Sequence, residues 1–204
     1  MTISAGERER IAAAIRAVEA RTTGEIVCVL ARTSSDATAL PVLLAAIAAL
    51  VLPWLLVAFT GLSVERILAL QAIVFLVTLV VLCLQPVRVA LMPRAARRRV
   101  AHRVAMEQFA ARGIARKKDR CGILIFVSLA ERYARIIADD GIAARVPQAQ
   151  WQSAVDALIR EIRRGDIAAG FLAAIDLCGN ELATHFPRSE AATGHELPDR
   201  IYLI

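Results

Sequence analysis

The sequence has 204 residues, which allows one modest soluble domain plus a membrane hairpin and excludes two large domains. Its 57% hydrophobic content and mean hydropathy of +0.55 are high for a globular domain of this size, and the excess lies in the first half. The formal charge of +6 would suit nucleic acid. Most of that surplus, however, is arginine placed just after the apolar block, where membrane topology accounts for it, so no nucleic-acid partner is expected.

The chain opens without a signal peptide, because charges come early and no apolar core of sufficient length follows them. Ser4 and Glu7 have the spacing of a capping box, and Ile11, Ile15 and Val18 follow at helical intervals, with Gly24 as the stop. Glu25–Ala31 (EIVCVLA) is rich in β-branched residues and predicts a strand. One helix and one strand cannot bury a core, so their partners must lie further along the chain.

Leu40–Phe59 is about twenty residues without a charge, the length that a bilayer core needs. Pro41 suits a first helical turn, and Pro53 predicts a kink of the kind tolerated in membrane spans. A turn at Gly61 and Ser63 leads to a second span, Ile67–Leu84, whose polar groups are Gln71 and Thr78. The short connection carries Arg66, whereas Arg88, Arg94, Arg97, Arg98, Arg99 and Arg103 follow the second span. The positive-inside rule then places both termini in the cytoplasm. Arg94, Arg97, Arg98 and Arg99 are also placed to meet lipid headgroups.

Beyond the hairpin, Arg94–Arg112 predicts a basic helix with Val100, Val104 and Phe109 on one side. Gly122–Ser128 (GILIFVS) is a continuous apolar run, hence a strand covered on both faces. A turn at Leu129–Glu131 leads to a third strand, Arg132–Ala138, closed by Asp139-Asp140-Gly141. Two amphipathic helices complete the pattern. One starts near Pro147 and carries Trp151, Val155, Leu158 and Ile162; the next is capped by Asp166 and carries Ile167, Phe171, Ile175 and Leu182. The tail from Pro187 is polar, though its last residues, IYLI, could dock. The expected fold class is α/β: a small sheet covered by helices, split by an inserted two-helix transmembrane hairpin. Residues 1–38 and 86–186 would form one domain around a hairpin at 39–85, with 187–204 as a tail.

Thr23–Leu30 (TGEIVCVL), Gly122–Ser128, Arg132–Gly141 and the GD-I-x-A-G stretch Gly165–Gly170 together resemble the TPM domain family. They match its TG-x-[IV]-V-V strand, its NG-[VI]-L strand, its strand ending in an acidic or Gly-rich turn, and its GDY-x-x-G helix start. Cys121-Gly122 stands where the family has Asn-Gly, and Asp139-Asp140-Gly141 where it has Gly-x-Gly. The resemblance implies a bacterial protein at the plasma (inner) membrane, multi-pass, with the lipid bilayer and other membrane proteins as partners. It also carries acid phosphatase activity, calcium binding and membrane-complex maintenance as expectations.

A candidate metal group follows from it: Asp119 before the second strand, Glu131 in the hairpin turn, and Asp139 and Asp140 after the third strand, converging at one sheet edge. Oxygen ligands of this kind would take calcium. The same acids also read as turn residues balanced by Arg116, Lys117, Lys118, Arg120, Arg132 and Arg135. No P-loop, GxSxG or HExxH motif occurs, and His102, His185 and His195 have no spaced partner. Cys28, Cys83, Cys121 and Cys178 have no metal-ligand spacing and read as reduced. Two functions therefore stand: a non-catalytic, membrane-anchored interaction domain without a cofactor, favoured by the lack of a nucleophile–base pair, or a metal-dependent phosphatase.

Overall fold

The computed structural model describes residues 3–34, 39–84, 87, 90, 92–114, 121–188 and 198–204. In chain order the elements are α1 (Ala5–Glu19), β1 (Glu25–Ala31), α2 (Ala39–Phe59), α3 (Val64–Cys83), α4 (Arg94–Ala111), β2 (Gly122–Ser128), β3 (Tyr133–Ala138), α5 (Asp140–Ala143), α6 (Gln148–Arg163), α7 (Ile167–His185) and β4 (Ile201–Leu203). They form two compact units: residues 1–34 with 100–204, and residues 35–99, with the boundary inside α4.

The first unit is built on a four-stranded sheet of order β3-β2-β1-β4. β1 and β2 pair in parallel, Glu25 opposite Gly122 through to Ala31 opposite Ser128. β3 returns antiparallel to β2, with Ile123 opposite Ala138, and β4 adds in parallel to β1, with Cys28 opposite Ile201. Every residue of β1 and β2 is buried, which is why both read as unbroken apolar runs rather than alternating ones.

Alternation along each strand divides their side chains between two cores. Ile26, Cys28, Leu30, Ile123, Ile125 and Val127 share one cluster with side chains of α1, α6 and α7. Val27, Val29, Leu124 and Phe126 share the other with Ala105 and Phe109 of α4. The sequence pattern assigned Val100 and Val104 to that helix face. Phe109 is buried as expected and Val104 is partly buried against the same core, but the other buried positions are Ala101 and Ala105, because small side chains let a helix lie close on the sheet. All four cysteines are free thiols.

Local chemistry fixes the element ends. The Ser4 N–H donates to Glu7 Oε2 at 2.7 Å and the Glu7 N–H to Ser4 Oγ at 3.3 Å, the reciprocal capping box expected for α1. The helix stops at Glu19, short of the expected Gly24. Thr22 turns the chain there, its hydroxyl donating to the Phe186 carbonyl while its oxygen accepts from the Gly24 N–H. Asp166 caps α7, accepting from the Ala169 N–H at 2.8 Å. Of the last residues that the sequence left open to dock, IYLI, Ile201–Leu203 form β4, and the Ile204 N–H donates to the Leu30 carbonyl at 3.0 Å.

In the second unit, α2 and α3 pack against one another. Three described helices are long and apolar enough to cross a membrane: the Pro41–Phe59 stretch of α2, α3 and α7. Burial separates them. Half of the α7 window is buried in the sheet domain, against 11% and 6% for α2 and α3.

Helix contacts in the first unit depend on glycine where backbones come closest. A Cβ at Gly170 would lie 2.9 Å from the Leu158 carbonyl oxygen, so α6 and α7 would have to separate. Gly6, near the start of α1, has nothing within 4 Å of the same position. The same substitution should therefore act with opposite signs. Gly170→Ala should lower unfolding stability by about 1–3 kcal/mol, and Gly6→Ala should raise it by up to about 1 kcal/mol. Denaturant melts of the two variants beside the parent protein check this.

Candidate functional site

The carboxyl ends of β1 and β2 meet in a polar cluster. The turn after β2 is fastened to the chain leaving β1, since the Leu129 N–H donates to the Ala31 carbonyl at 3.0 Å and the Ala130 N–H to the Arg32 carbonyl at 3.1 Å. Arg132 closes the turn at φ +51°, a left-handed conformation that costs a non-glycine residue energy. The arrangement buries Glu131 at 4% exposure. Its carboxylate accepts from the Ser34 N–H at 3.0 Å, from the Thr33 hydroxyl at 3.1 Å and from the Ser128 hydroxyl. The Ser34 hydroxyl in turn donates to Ser128 Oγ at 2.9 Å. Burial alone would push the Glu131 carboxyl up, but the donated bonds from Ser128, the Ser34 backbone and Thr33 together outweigh it and hold the group below its ordinary 4.5. A carboxylate held this acidic is a poor general base at neutral pH, and its lone pairs are already committed.

The expected four-acid group is not one site. Asp139 lies at the other end of β3, where its N–H donates to the Gly122 carbonyl at 2.9 Å, beside the start of β2. Six strand residues, about 20 Å, separate that end from Glu131. No single ion with ligands at 2.3–2.6 Å could therefore hold both. The two turns flank β3, so the length of that strand carries them to its opposite ends, a separation that proximity in sequence conceals. Asp139 N-caps α5, accepting from the Asp140 N–H at 2.8 Å, so the predicted turn is a short helix start. Its Oδ2 is buried without a hydrogen bond. Asp140 is exposed, and Asp119 lies outside the described residues. Among the described residues, no three His, Cys, Asp or Glu side chains are grouped so as to hold a metal ion.

Arg94, Arg97, Arg98 and Arg99 occupy the first turns of α4; Arg94, Arg98 and Arg99 are exposed and Arg97 is half-buried. His102 Nδ1 lies 3.5 Å from the Tyr133 hydroxyl, and His185 lies 3.8 Å from Glu181. His195 is outside the described residues. Trp151 is core, as its helical spacing implied.

Sequence reasoning missed a second buried carboxyl. Glu19, at 2% exposure, accepts from the Ile26 N–H at 2.9 Å. Burial, reinforced by the neighbouring carboxyls of Asp199 and Glu25, pushes it up to about 8. Nothing in the local sequence marks it, because Asp199 arrives from the far end of the chain. Tyr202 on β4 was also missed as an anchor: the guanidinium groups of Arg112 and Arg200 lie 3.5 Å and 4.8 Å from its ring centre.

The two carboxyls predict a stability profile with two limbs. Glu131 has a lowered folded value, so its contribution is complete above about 4.5 and is lost as pH falls through the depressed value. Glu19 has a raised one, so its contribution is complete below about 4.5 and is lost as pH climbs through about 8. Glu131→Gln should cost about 1–3 kcal/mol near pH 6, with the deficit shrinking in acid. Glu19→Gln should be stabilising above pH 8 and should flatten the alkaline limb. Thermal melts across pH 3–9 test both.

Comparison with known proteins fits this architecture. The TPM domain family profile matches residues 85–181, just under half of the chain, beginning after the hairpin and ending within α7. The structure supplies what that stretch lacks, since β1 from before the hairpin and β4 from after it join β2 and β3 in the sheet. The NMR structure of the BA42 protein from the psychrophilic bacterium Bizionia argentinensis has a similar fold, at TM-score 0.62 and 20% identity, covering 100% of this chain and 96% of that one. No curated protein matches the chain. The family match and the shared fold lead to one conclusion: the chain carries a TPM domain, matched over residues 85–181.

Proposed function

We propose that this protein is a TPM domain anchored in the bacterial plasma membrane, where it works by binding other membrane proteins rather than by catalysis. The observation that carries the reading is the pair α2 and α3. Both have the length of a bilayer span, and large apolar side chains such as Trp54 and Phe59 stand 76% and 82% exposed. Two such helices in succession would leave an unfavourable apolar surface in water and a favourable one in lipid.

The arginines argue for orientation. Arg94, Arg97, Arg98 and Arg99 follow the second span, while the connection between spans holds Arg66. Retention of that cluster on the cytoplasmic side, against anionic headgroups, puts both termini there. The committed hydrogen bonds of Glu131 support a structural rather than a catalytic role for the most deeply held carboxylate at the carboxyl end of the parallel strands.

One observation favours the second reading, a metal-dependent phosphatase. Asp139 Oδ2 is buried with no hydrogen bond, beside the start of β2. A calcium ion could satisfy it.

Membrane fractionation with topology reporters tests the first reading. The chain should stay with membranes through an alkaline carbonate wash. A fluorescent protein fused after Ile204 should be active, and an alkaline phosphatase fusion at the same place silent. Release by carbonate contradicts the anchor, and the converse reporter pattern contradicts the orientation. Calcium titration followed by thermal melting discriminates the second reading. No saturable rise in melting temperature is expected; a rise that disappears in Asp139→Asn would establish the metal site instead.

A further inference from the structure

We infer that the hairpin is also a self-association surface, through which two copies of this chain pair in the membrane. The inference rests on the proposed membrane anchorage. An open groove of about 420 Å³ runs along α2 and α3, lined by Ala46, Ala49 and Ala72 together with Leu50, Phe75 and Gln71. Two polar features share this otherwise apolar groove. Gln71 is half-buried, about 10 Å along α3 from Val64, and among the described residues no hydrogen bond engages its amide. Ala49 is four residues before Pro53, which has no N–H, so its carbonyl lacks the donor that the helix would otherwise supply.

In water such groups would be solvated. In hydrocarbon each unsatisfied group costs several kcal/mol, which is why polar residues within spans face other protein. The chemistry also selects the occupant. A primary amide both donates and accepts, so it is its own complement, and a lipid tail offers it nothing. A twofold axis through the groove would let the two Gln71 amides bond to each other, with their remaining N–H groups reaching the Ala49 carbonyls. The three alanines allow the close backbone approach that helix pairs in membranes use. One surface thus offers donor, acceptor and space to an identical surface.

The test uses the full chain, labelled near its C-terminus with donor or acceptor dye and reconstituted in phosphatidylethanolamine–phosphatidylglycerol vesicles. Energy transfer in the parent protein should rise to saturation with protein-to-lipid ratio and be competed by unlabelled protein. Gln71→Leu should weaken association about tenfold. Pro53→Ala, which restores the amide that occupies the Ala49 carbonyl without impairing the helix, should weaken it as well. Leu76→Ala, at an exposed position that does not line the groove, should leave it unchanged. Absence of transfer in the parent while the chain still floats with the vesicles overturns the self-association and leaves the anchor standing, as does equal transfer in Gln71→Leu. A chain that fails to float with the vesicles overturns the anchor, and the self-association with it.

Discussion

Everything in the sheet-bearing unit depends on the parallel pairing of β1 with β2. These strands lie about ninety residues apart in sequence, yet they sit side by side at the centre of the sheet, buried on both faces. Neither piece of the chain could form a core without the other. The N-terminal piece has one helix and one strand, and the family match after the hairpin includes β2 and β3 but not the strand between β2 and β4. A parallel pair requires a long crossover in any case, and the entropy of closing a loop grows only slowly with its length. The crossover is therefore the place where an inserted helical hairpin costs the domain least.

That pairing also creates the Glu131 cluster. Thr33 and Ser34 lie just before the hairpin and Ser128 and Glu131 after it, so the hydrogen bonds among them join the two pieces where the chain departs from the sheet. One buried carboxylate holding backbone and hydroxyl donors from both sides acts as a clasp. At the opposite end of β1, Glu19 binds the Ile26 N–H while Asp199 brings the C-terminal strand beside it. The two carboxyls fasten the sheet at its two ends, one ionised and one holding its proton at neutral pH.

Much of this was legible in sequence because it follows from patterns of fixed length. α2 and α3 are apolar runs of about the length that a bilayer span needs, double-sided burial makes β1 and β2 unbroken apolar runs, and Ser4 with Glu7 and Asp166 mark helix starts. What escaped depends on tertiary pairing. The three residues of β4 follow a polar tail and become a strand only because β1 offers a free edge. Ala101 and Ala105 are buried on α4 where Val100 and Val104 were expected, with Val104 only partly buried against the same core, because closeness to the sheet outweighs side-chain size. Glu131 and Asp139 are eight residues apart, but the extended strand β3 between them carries them to its opposite ends, so the four acids read together from sequence do not form one site.

The central claim is that one domain is made from two pieces of chain held together by β1 and β2. It is tested most directly by replacing residues 35–99 with a flexible Gly/Ser linker and measuring urea unfolding by two probes, far-ultraviolet circular dichroism and tryptophan fluorescence. Trp151 is then the sole tryptophan, since Trp54 leaves with the hairpin. The account predicts a soluble monomer whose two transitions coincide. A soluble, cooperatively unfolding protein obtained from residues 100–204 alone would contradict it, because β2 would then have a core that owes nothing to β1.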